Sequence, residues 1–325
     1  MIEAAPARPD AAKTAATLGD VGDFYARLKY PGPDALITFV WADRLKPYLP
    51  AGEFRFLDAG CGSGRHSAGL LLRYLNATGV GVDISEPILN EARALMAAKG
   101  LTGRIELRKA NYASSLALPG AFDLALAVGT IHHTPDPAAS LGNIAAAVKP
   151  GGLVAAMVYG ARGHRRRYEI KEMLELLGGH DAELKRRLYD SYRRRYESWL
   201  DRTPRQSLRR MRATVSRWRH GLLGRAGDSG YNPDPTRNMV FFLDSFASPI
   251  DRAFEWPELS GMIEGAGLTL EHMFTLGRDD PSLLPADWRP YWRVLEPRQR
   301  IRVSELIDPV PASFSFIARK SGGGA

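Results

Sequence analysis

Between residues 54 and 159 short apolar runs alternate with helical stretches, the pattern of a sheet wound with helices. The run 54–59 predicts a strand that breaks into a glycine turn, and a helix follows over 65–74. A second strand over 77–82 ends on Asp83. Residues 87–99 predict a helix with Ser85 as its N-cap and Gly100 just past its end. Strands three and four fall at 105–108 and 122–128, a helix at 137–148, and strand five at 153–159 after a turn over 149–152. A helix over 256–266 closes on Gly267, 268–276 predict strand six, and the alternation over 313–319 predicts a final antiparallel strand. The order fits an α/β, doubly wound, seven-stranded and mostly parallel sheet with an antiparallel last strand, and ligand chemistry belongs at the carboxyl ends of strands one, two and four.

The flanks change this picture in two places. Apolar positions at helical spacing over 35–45 predict a helix that Pro47 and Pro50 end, so 20–50 forms an N-terminal lid or helix ahead of a core at 51–160. Residues 161–255 then separate strand five from the rest of the core at 256–320. Leu208, Met211, Val215, Trp218 and Leu222 recur at steps of three and four, and Leu184, Leu188, Tyr192 and Trp199 suggest a second amphipathic helix. Their apolar stripes must pack on something, and a helical cap insertion is expected. Residues 1–19 are expected to be a mobile leader and 321–325 a flexible tail.

At 325 residues the chain can bury a full core, and a hydrophobic content of 45% with 25% charged residues is ordinary for a soluble protein. No apolar run approaches the roughly 18 residues of a membrane helix, and no signal-peptide pattern opens the chain, so a cytoplasmic protein is expected. The single cysteine, Cys61, excludes an internal disulfide and any multi-cysteine metal site. Charge is uneven: residues 162–225 carry 19 Lys and Arg against 8 Asp and Glu, a net +11 within a chain of net +8.

The candidate chemistry centres on the glycine turn. Gly60, Gly62 and Gly64 are spaced Gly-x-Gly-x-Gly, not the Gly-x-Gly-x-x-Gly of a dinucleotide site, and Asp83 lies roughly 20 residues on, where an acid can meet ribose hydroxyls. Asp58 to Gly64, taken with Gly81-Val82-Asp83-Ile84-Ser85, resembles class I S-adenosylmethionine (SAM) methyltransferases. The resemblance implies a Rossmann-like class I methyltransferase fold, a glycine loop bordering the methionine part of SAM, and Asp83 on the ribose. Phe24-Tyr25 and Tyr30-Pro31 are similar to an FY…YP segment that folds over the cofactor in a bacterial subgroup, although an ordinary packing hook fits equally. Asn111 and Tyr112 occupy the place of the adenine contacts, with Asn where an acid is usual. Gly129-Thr130-Ile131-His132-His133-Thr134-Pro135-Asp136-Pro137 resembles a segment of small-molecule, type-11 methyltransferases. Asp244, Phe246, Pro249, Asp251 and Arg252 match a further subgroup segment in which Ser248 replaces a His and Phe254 a Tyr.

The candidate cofactor residues are therefore Tyr25, Tyr30, Asp58, Gly60, Cys61, Gly62, Gly64, Asp83, Ile84, Asn111, Tyr112 and Gly129, with SAM as cofactor and S-adenosylhomocysteine as product. His132, Tyr159 and Arg252 are candidate acceptor contacts, and His133 is the candidate general base, against the alternative of a histidine that only shapes its loop. Cys61 is expected to be a small apolar filler. His132, His133 and Asp136 suggest a metal site only superficially, because adjacent loop histidines rarely face one ion. Trp288 to Arg293 is expected to pack in the core, with a pocket wall as the alternative. The leading reading is a SAM-dependent methyltransferase for a small molecule or peptide beneath the cap. An RNA methyltransferase using Arg165–Arg167, Arg193–Arg195 and Arg209–Arg212 is the second, and a catalytically idle SAM-fold binding protein the third. The acceptor atom and the oligomeric state stay open.

Overall fold

In the computed structural model, which describes residues 17–28, 42–114, 116–179, 181–192, 195, 239–274, 287–307 and 313–322, the apolar runs become one sheet. Its strands are β1 (Phe54–Ala59), β2 (Ala77–Asp83), β3 (Ile105–Lys109), β4 (Phe122–Val128), β5 (Val148–Gly160), β6 (Ala253–Phe254), β7 (Leu268–Met273) and β8 (Ser313–Lys320). They run in the order β3-β2-β1-β4-β5-β8-β7 with β6 beside β5. Only β8 runs antiparallel, to both β5 and β7. The order reverses direction at β1, which pairs β2 on one side and β4 on the other, and a doubly wound sheet opens its ligand crevice at such a switch point.

Successive side chains of each strand enter opposite layers, because the pleat alternates them. In β4, Ala125 and Ala127 join one buried cluster while Leu124 and Leu126 join the other. In β5, Val154, Ala156 and Val158 oppose Leu153 and Ala155. Helices α3 (Arg65–Arg73), α4 (Glu86–Ala98) and α5 (Pro137–Ala147) follow β1, β2 and β4, as helical crossovers between parallel strands require.

Three sequence expectations change. The sheet has eight strands, because Ala253 and Phe254 pair with Tyr159 and Gly160 beyond Met157, where β4 ends its pairing with β5. The turn expected at 149–152 lies inside β5 as a bulge: Val148 pairs Phe122 and Leu153 pairs Leu124, with Gly151 at φ +78°. Ser85 stands at the N-cap of α4, but its side chain makes no capping bond. Of the helix expected over 35–45 only α2 (Ala42–Leu45) falls among the described residues. In the Trp288–Arg293 cluster Trp292 is buried, whereas Trp288 and Tyr291 are exposed, so one aromatic of three packs as expected.

The chain divides into two compact units, one of residues 1–14 and 167–247, the other of 15–166 and 248–325. In the first, Ile170 and Leu174 of α6 (Ala161–Gly178), Tyr189 of α7 (Ala182–Tyr192), and Phe242 and Phe246 of the helix Met239–Phe246 form a small core. Tyr189 lies 4.8 Å from Phe246, ring to ring. Leu188 and Tyr192 join that core as the spacing predicts; Trp199 and the stripe from Leu208 to Leu222 lie outside the described residues. No helix among the described residues is long and apolar enough to cross a membrane.

Candidate cofactor and acceptor site

Gly60, Gly62 and Gly64 follow β1 at φ +75°, +52° and +77°, values that L side chains rarely adopt. The N–H groups of Gly60 and Cys61 both donate to the Val82 carbonyl, at 2.8 and 2.9 Å, which hooks the turn onto the end of β2. A Cβ on Gly60 would stand 2.6 Å from Thr130 Cγ2, whereas one on Gly62 would meet nothing within 4 Å. Thr130 in turn donates to the Ala59 carbonyl at 3.0 Å, locking the ends of β1 and β4 together.

Asp83 sits at the end of β2 with both carboxylate oxygens engaged by backbone. Oδ2 accepts from Gly62 N–H at 3.0 Å and Oδ1 from Ser85 N–H at 2.9 Å. Burial pushes this carboxyl upward, against the lowering effect of those N–H groups. A carboxylate offers about four acceptor sites, so each oxygen keeps capacity for a hydroxyl, and the pair fits the vicinal diol of a ribose. The open space at Gly62 beside it fits a ligand that approaches backbone. These residues therefore suit the nucleoside part of SAM.

Asp58 is buried beneath the turn, where Ser67 Oγ donates to its Oδ2 at 2.6 Å. Burial raises its carboxyl to about 6, Ser67 opposes the rise, and the charge of Asp83 adds to it. Burial likewise pushes the Cys61 thiol well up, and a thiol held neutral is a poor nucleophile. Tyr112 is buried below Gly60, its hydroxyl bonded to Thr130. Asn111 turns its Oδ1 onto Ala113 N–H at 2.9 Å and so caps its own turn. Gly129 ends β4 at φ +74° and donates to the Met157 carbonyl at 3.1 Å.

The second half of the site stands at the carboxyl ends of β4 and β5. His133 is buried, with Nδ1 2.7 Å from the Ile250 carbonyl and Nε2 3.2 Å from the Tyr25 hydroxyl. A carbonyl only accepts, so Nδ1 carries the proton and Nε2 offers its lone pair to Tyr25. Ser248 Oγ donates to the same Ile250 carbonyl at 3.0 Å. His132 is fully buried, its ring 4.2 Å from that of His133 and 4.0 Å from Tyr159, which in turn meets His164 at 4.6 Å. Arg252 contributes backbone: its N–H reaches the His132 carbonyl at 3.1 Å, while its guanidinium pairs with Glu258 and lies over Phe254. Asp136 caps α5 through Ala139 N–H at 2.9 Å, and the described residues hold no cluster of three metal-ligating side chains.

Helix α1 (Leu18–Leu28) reaches both halves. A Cβ on Gly22 would lie 3.0 Å from Ile84 Cδ1, just past β2, and Tyr25 meets His133, just past β4. The helix thus runs as a strap from one side of the switch point to the other, with Ile84 and His133 as its two anchorages. Tyr30 lies outside the described residues. Sequence reasoning missed Ser67, Thr130, Gly22 and the Ile250 carbonyl; of these, Thr130 and Ile250 lay inside segments that drew attention.

The fold of the core is that of class I, Rossmann-like methyltransferase domains, a class whose cofactor is SAM. Residues 56–152 match the methyltransferase-domain family. An uncharacterised protein of Synechococcus is 29% identical over 273 residues, covering 83% of this chain and 61% of that protein. A ubiquinone biosynthesis O-methyltransferase of Thiobacillus denitrificans is 37% identical over 115 residues, 35% of this chain and 47% of that enzyme. The chain thus spans less than two thirds of the length of either relative. Among solved structures, PKMT2 from Rickettsia typhi, also known in complex with S-adenosylhomocysteine, shares the fold at a TM-score of 0.64 and 14% identity, over 89% of this chain and 54% of that one. The [4+2]-cyclase SpnF shares it at 0.51 and 15% identity, over 95% and 98%.

Proposed function

We propose that the chain transfers the methyl group of SAM to a small-molecule acceptor held at the carboxyl ends of β4 and β5. The observation that carries this reading is the Asp83 carboxylate, clamped by Gly62 and Ser85 N–H groups beside an open glycine turn at the switch point. In this reading the backbone of 60–64 borders the methionine part of the cofactor, Asp83 takes the ribose hydroxyls, and Ile84 flanks them under α1. Asn111, whose amide is engaged within its own turn, borders adenine through backbone. SAM supplies a methyl already activated on a cationic sulfur, which leaves the protein to align the acceptor, exclude water and accept a proton where the acceptor carries one. His132 and Tyr159 wall the acceptor side.

The relatives named as ubiquinone biosynthesis O-methyltransferases support a small acceptor over a polymer. On the described helices two of the arginines are engaged within the protein: Arg167 donates to the Ser245 carbonyl and stacks on Tyr168, and Arg186 pairs with Glu183 and Asp190. Exposed pairs of this kind are ordinary solvated helix faces. They lend no support to a phosphate platform.

The test combines calorimetric binding of S-adenosylhomocysteine with transfer of label from methyl-labelled SAM into a bacterial extract. Label in the acid-soluble fraction is expected. Nuclease-sensitive label in the precipitate would replace this reading by RNA methylation, and binding without transfer to any fraction would leave a binding protein.

A further inference from the structure

We infer that Tyr25, carried by the α1 strap, is a catalytic proton acceptor, with His133 as the positioning residue that receives its proton, and that the acceptor is a phenol-type hydroxyl. The inference rests on the methyltransferase reading and deepens it. His133 cannot itself meet an acceptor through Nδ1, because that nitrogen donates to the Ile250 carbonyl at 2.7 Å, nor through Nε2, because the Tyr25 hydroxyl occupies it at 3.2 Å. The base therefore reaches the acceptor through tyrosine. Ile250 makes this arrangement directional: its carbonyl fixes the Nδ1–H tautomer, and the Ser248 hydroxyl, which donates to the same oxygen at 3.0 Å, holds that carbonyl in place. The edge-on contact of the Tyr25 and His133 rings, at 5.5 Å, keeps the hydroxyl aligned with the nitrogen.

A phenol oxygen that donates its one proton keeps two lone pairs. The acceptor O–H can give its proton to Tyr25 oxygen while the Tyr25 O–H proton passes to His133 Nε2. As the acceptor oxygen gains the methyl, its O–H bond breaks and an O–H bond on Tyr25 replaces the one that broke there. One N–H bond forms on His133, so the positive charge lost from the cofactor sulfur appears as imidazolium and leaves to water. Among hydroxyl acceptors matching selects a phenol: a tyrosine hydroxyl ionises near 10, and proton exchange with a phenol of similar acidity is close to balanced, whereas an aliphatic alcohol is far weaker.

Tyr25→Phe removes one exchangeable oxygen and preserves the ring, so folding is retained. In the cofactor-free protein, nitrogen NMR of the wild type should show His133 protonated on Nδ1 and hydrogen-bonded on Nε2, and Tyr25→Phe should lose the Nε2 hydrogen-bond signature alone. With methyl-labelled SAM, Tyr25→Phe should lower kcat for an unactivated phenol about 10²-fold, the lower end of general-base effects, with S-adenosylhomocysteine affinity and KM for SAM unchanged. The loss should shrink toward unity for a nitrophenol already ionised at the assay pH. A His133 protonated on Nε2, or an equal loss of rate for both phenols, overturns the relay and leaves Tyr25 a packing residue. Equal rates for wild type and Tyr25→Phe also overturn it while the methyltransferase reading stands. No label transfer by the wild type to these phenols or to any fraction of a bacterial extract removes that reading, and the relay with it. Transfer to amines alone overturns the acceptor class and the relay.

Discussion

Asp58→Asn tests the physics beneath the glycine turn without touching a surface. The carboxyl is almost fully enclosed and ionises at about 6 against an ordinary 3.8, mainly because burial penalises the charged form. Since the folded value lies above the unfolded one, the folded state retains the proton through the interval between them. Stability is therefore greatest below about 3.8, falls as pH rises, and levels off above about 6. Each pH unit between the two values corresponds to about 1.4 kcal/mol, so the ionised carboxylate costs the folded protein about 3 kcal/mol at pH 7. Asparagine removes that cost but leaves Ser67 with a neutral partner and buries an amide, effects of about 1 kcal/mol each that do not change with pH. The informative quantity is thus the pH dependence. In urea unfolding of the cofactor-free protein, stability of Asp58→Asn relative to wild type should rise by about 2 kcal/mol between pH 4 and pH 7. A flat difference over that range would show that Asp58 is not the strained acid described here.

The remaining predictions separate binding from folding. In the proposed site Asp83→Ala would remove two charged hydrogen bonds to the ribose, at about 1.5–3 kcal/mol each, so S-adenosylhomocysteine affinity should fall at least about 10²-fold by calorimetry; unchanged affinity would displace the cofactor from this end of β2. Gly60→Ala meets Thr130 at 2.6 Å and should lose about 1–3 kcal/mol of stability, read as a lower Tm. Gly62→Ala meets no neighbour and carries only the strain of its φ of +52°, so it should lose less stability than Gly60→Ala while losing cofactor affinity; the reverse order for the two variants would refute the assignment of the turn's open side. Gly22→Val should crowd Ile84 and loosen the strap, seen as faster hydrogen exchange across residues 18–28 with the β1 and β4 amides unchanged.

What the sequence made legible was the part with a period. Five of the seven strands expected fall within a residue or two at each end, because their apolar runs are long enough to fix register, and the glycine turn is visible because positive φ restricts residue type. β6 has two residues and no period, so nothing marked it; it forms because β5 extends past the end of β4 and leaves Tyr159 and Gly160 to be paired. The bulge at 148–152 looked like a turn because Gly151 and Pro150 serve either purpose. Near the glycine turn Asp58 and Asp83 stood out because an acid at a strand end is conspicuous, whereas the hydroxyls of Ser67 and Thr130, which hold the turn from beneath, did not. The Ile250 carbonyl and the Arg252 N–H act through backbone, so the segment that holds them stood out while the identity of their side chains gave no sign of these contacts. The pairing of Tyr25 with His133 spans 108 positions, and only the course of α1 over the crevice brings them together.

The two ends of the crevice carry different kinds of information. The end formed by β1 and β2 specifies a nucleoside cofactor, because a clamped carboxylate and an unobstructed turn leave few other ligands that satisfy both. It does not specify a reaction: the [4+2]-cyclase SpnF has a fold of the same kind at a TM-score of 0.51, and a shared fold is compatible with unrelated chemistry. The reaction has to be argued from the end of β4 and β5, where a histidine whose tautomer is fixed by a carbonyl stands behind a tyrosine of α1. Such an arrangement is superfluous for an acceptor that arrives deprotonated. A protein that only bound the cofactor would need Asp83 and the glycine turn, but it would have no use for a hydrogen bond that aims a buried imidazole at a phenol, and the comparison of two phenols of different acidity measures that difference directly.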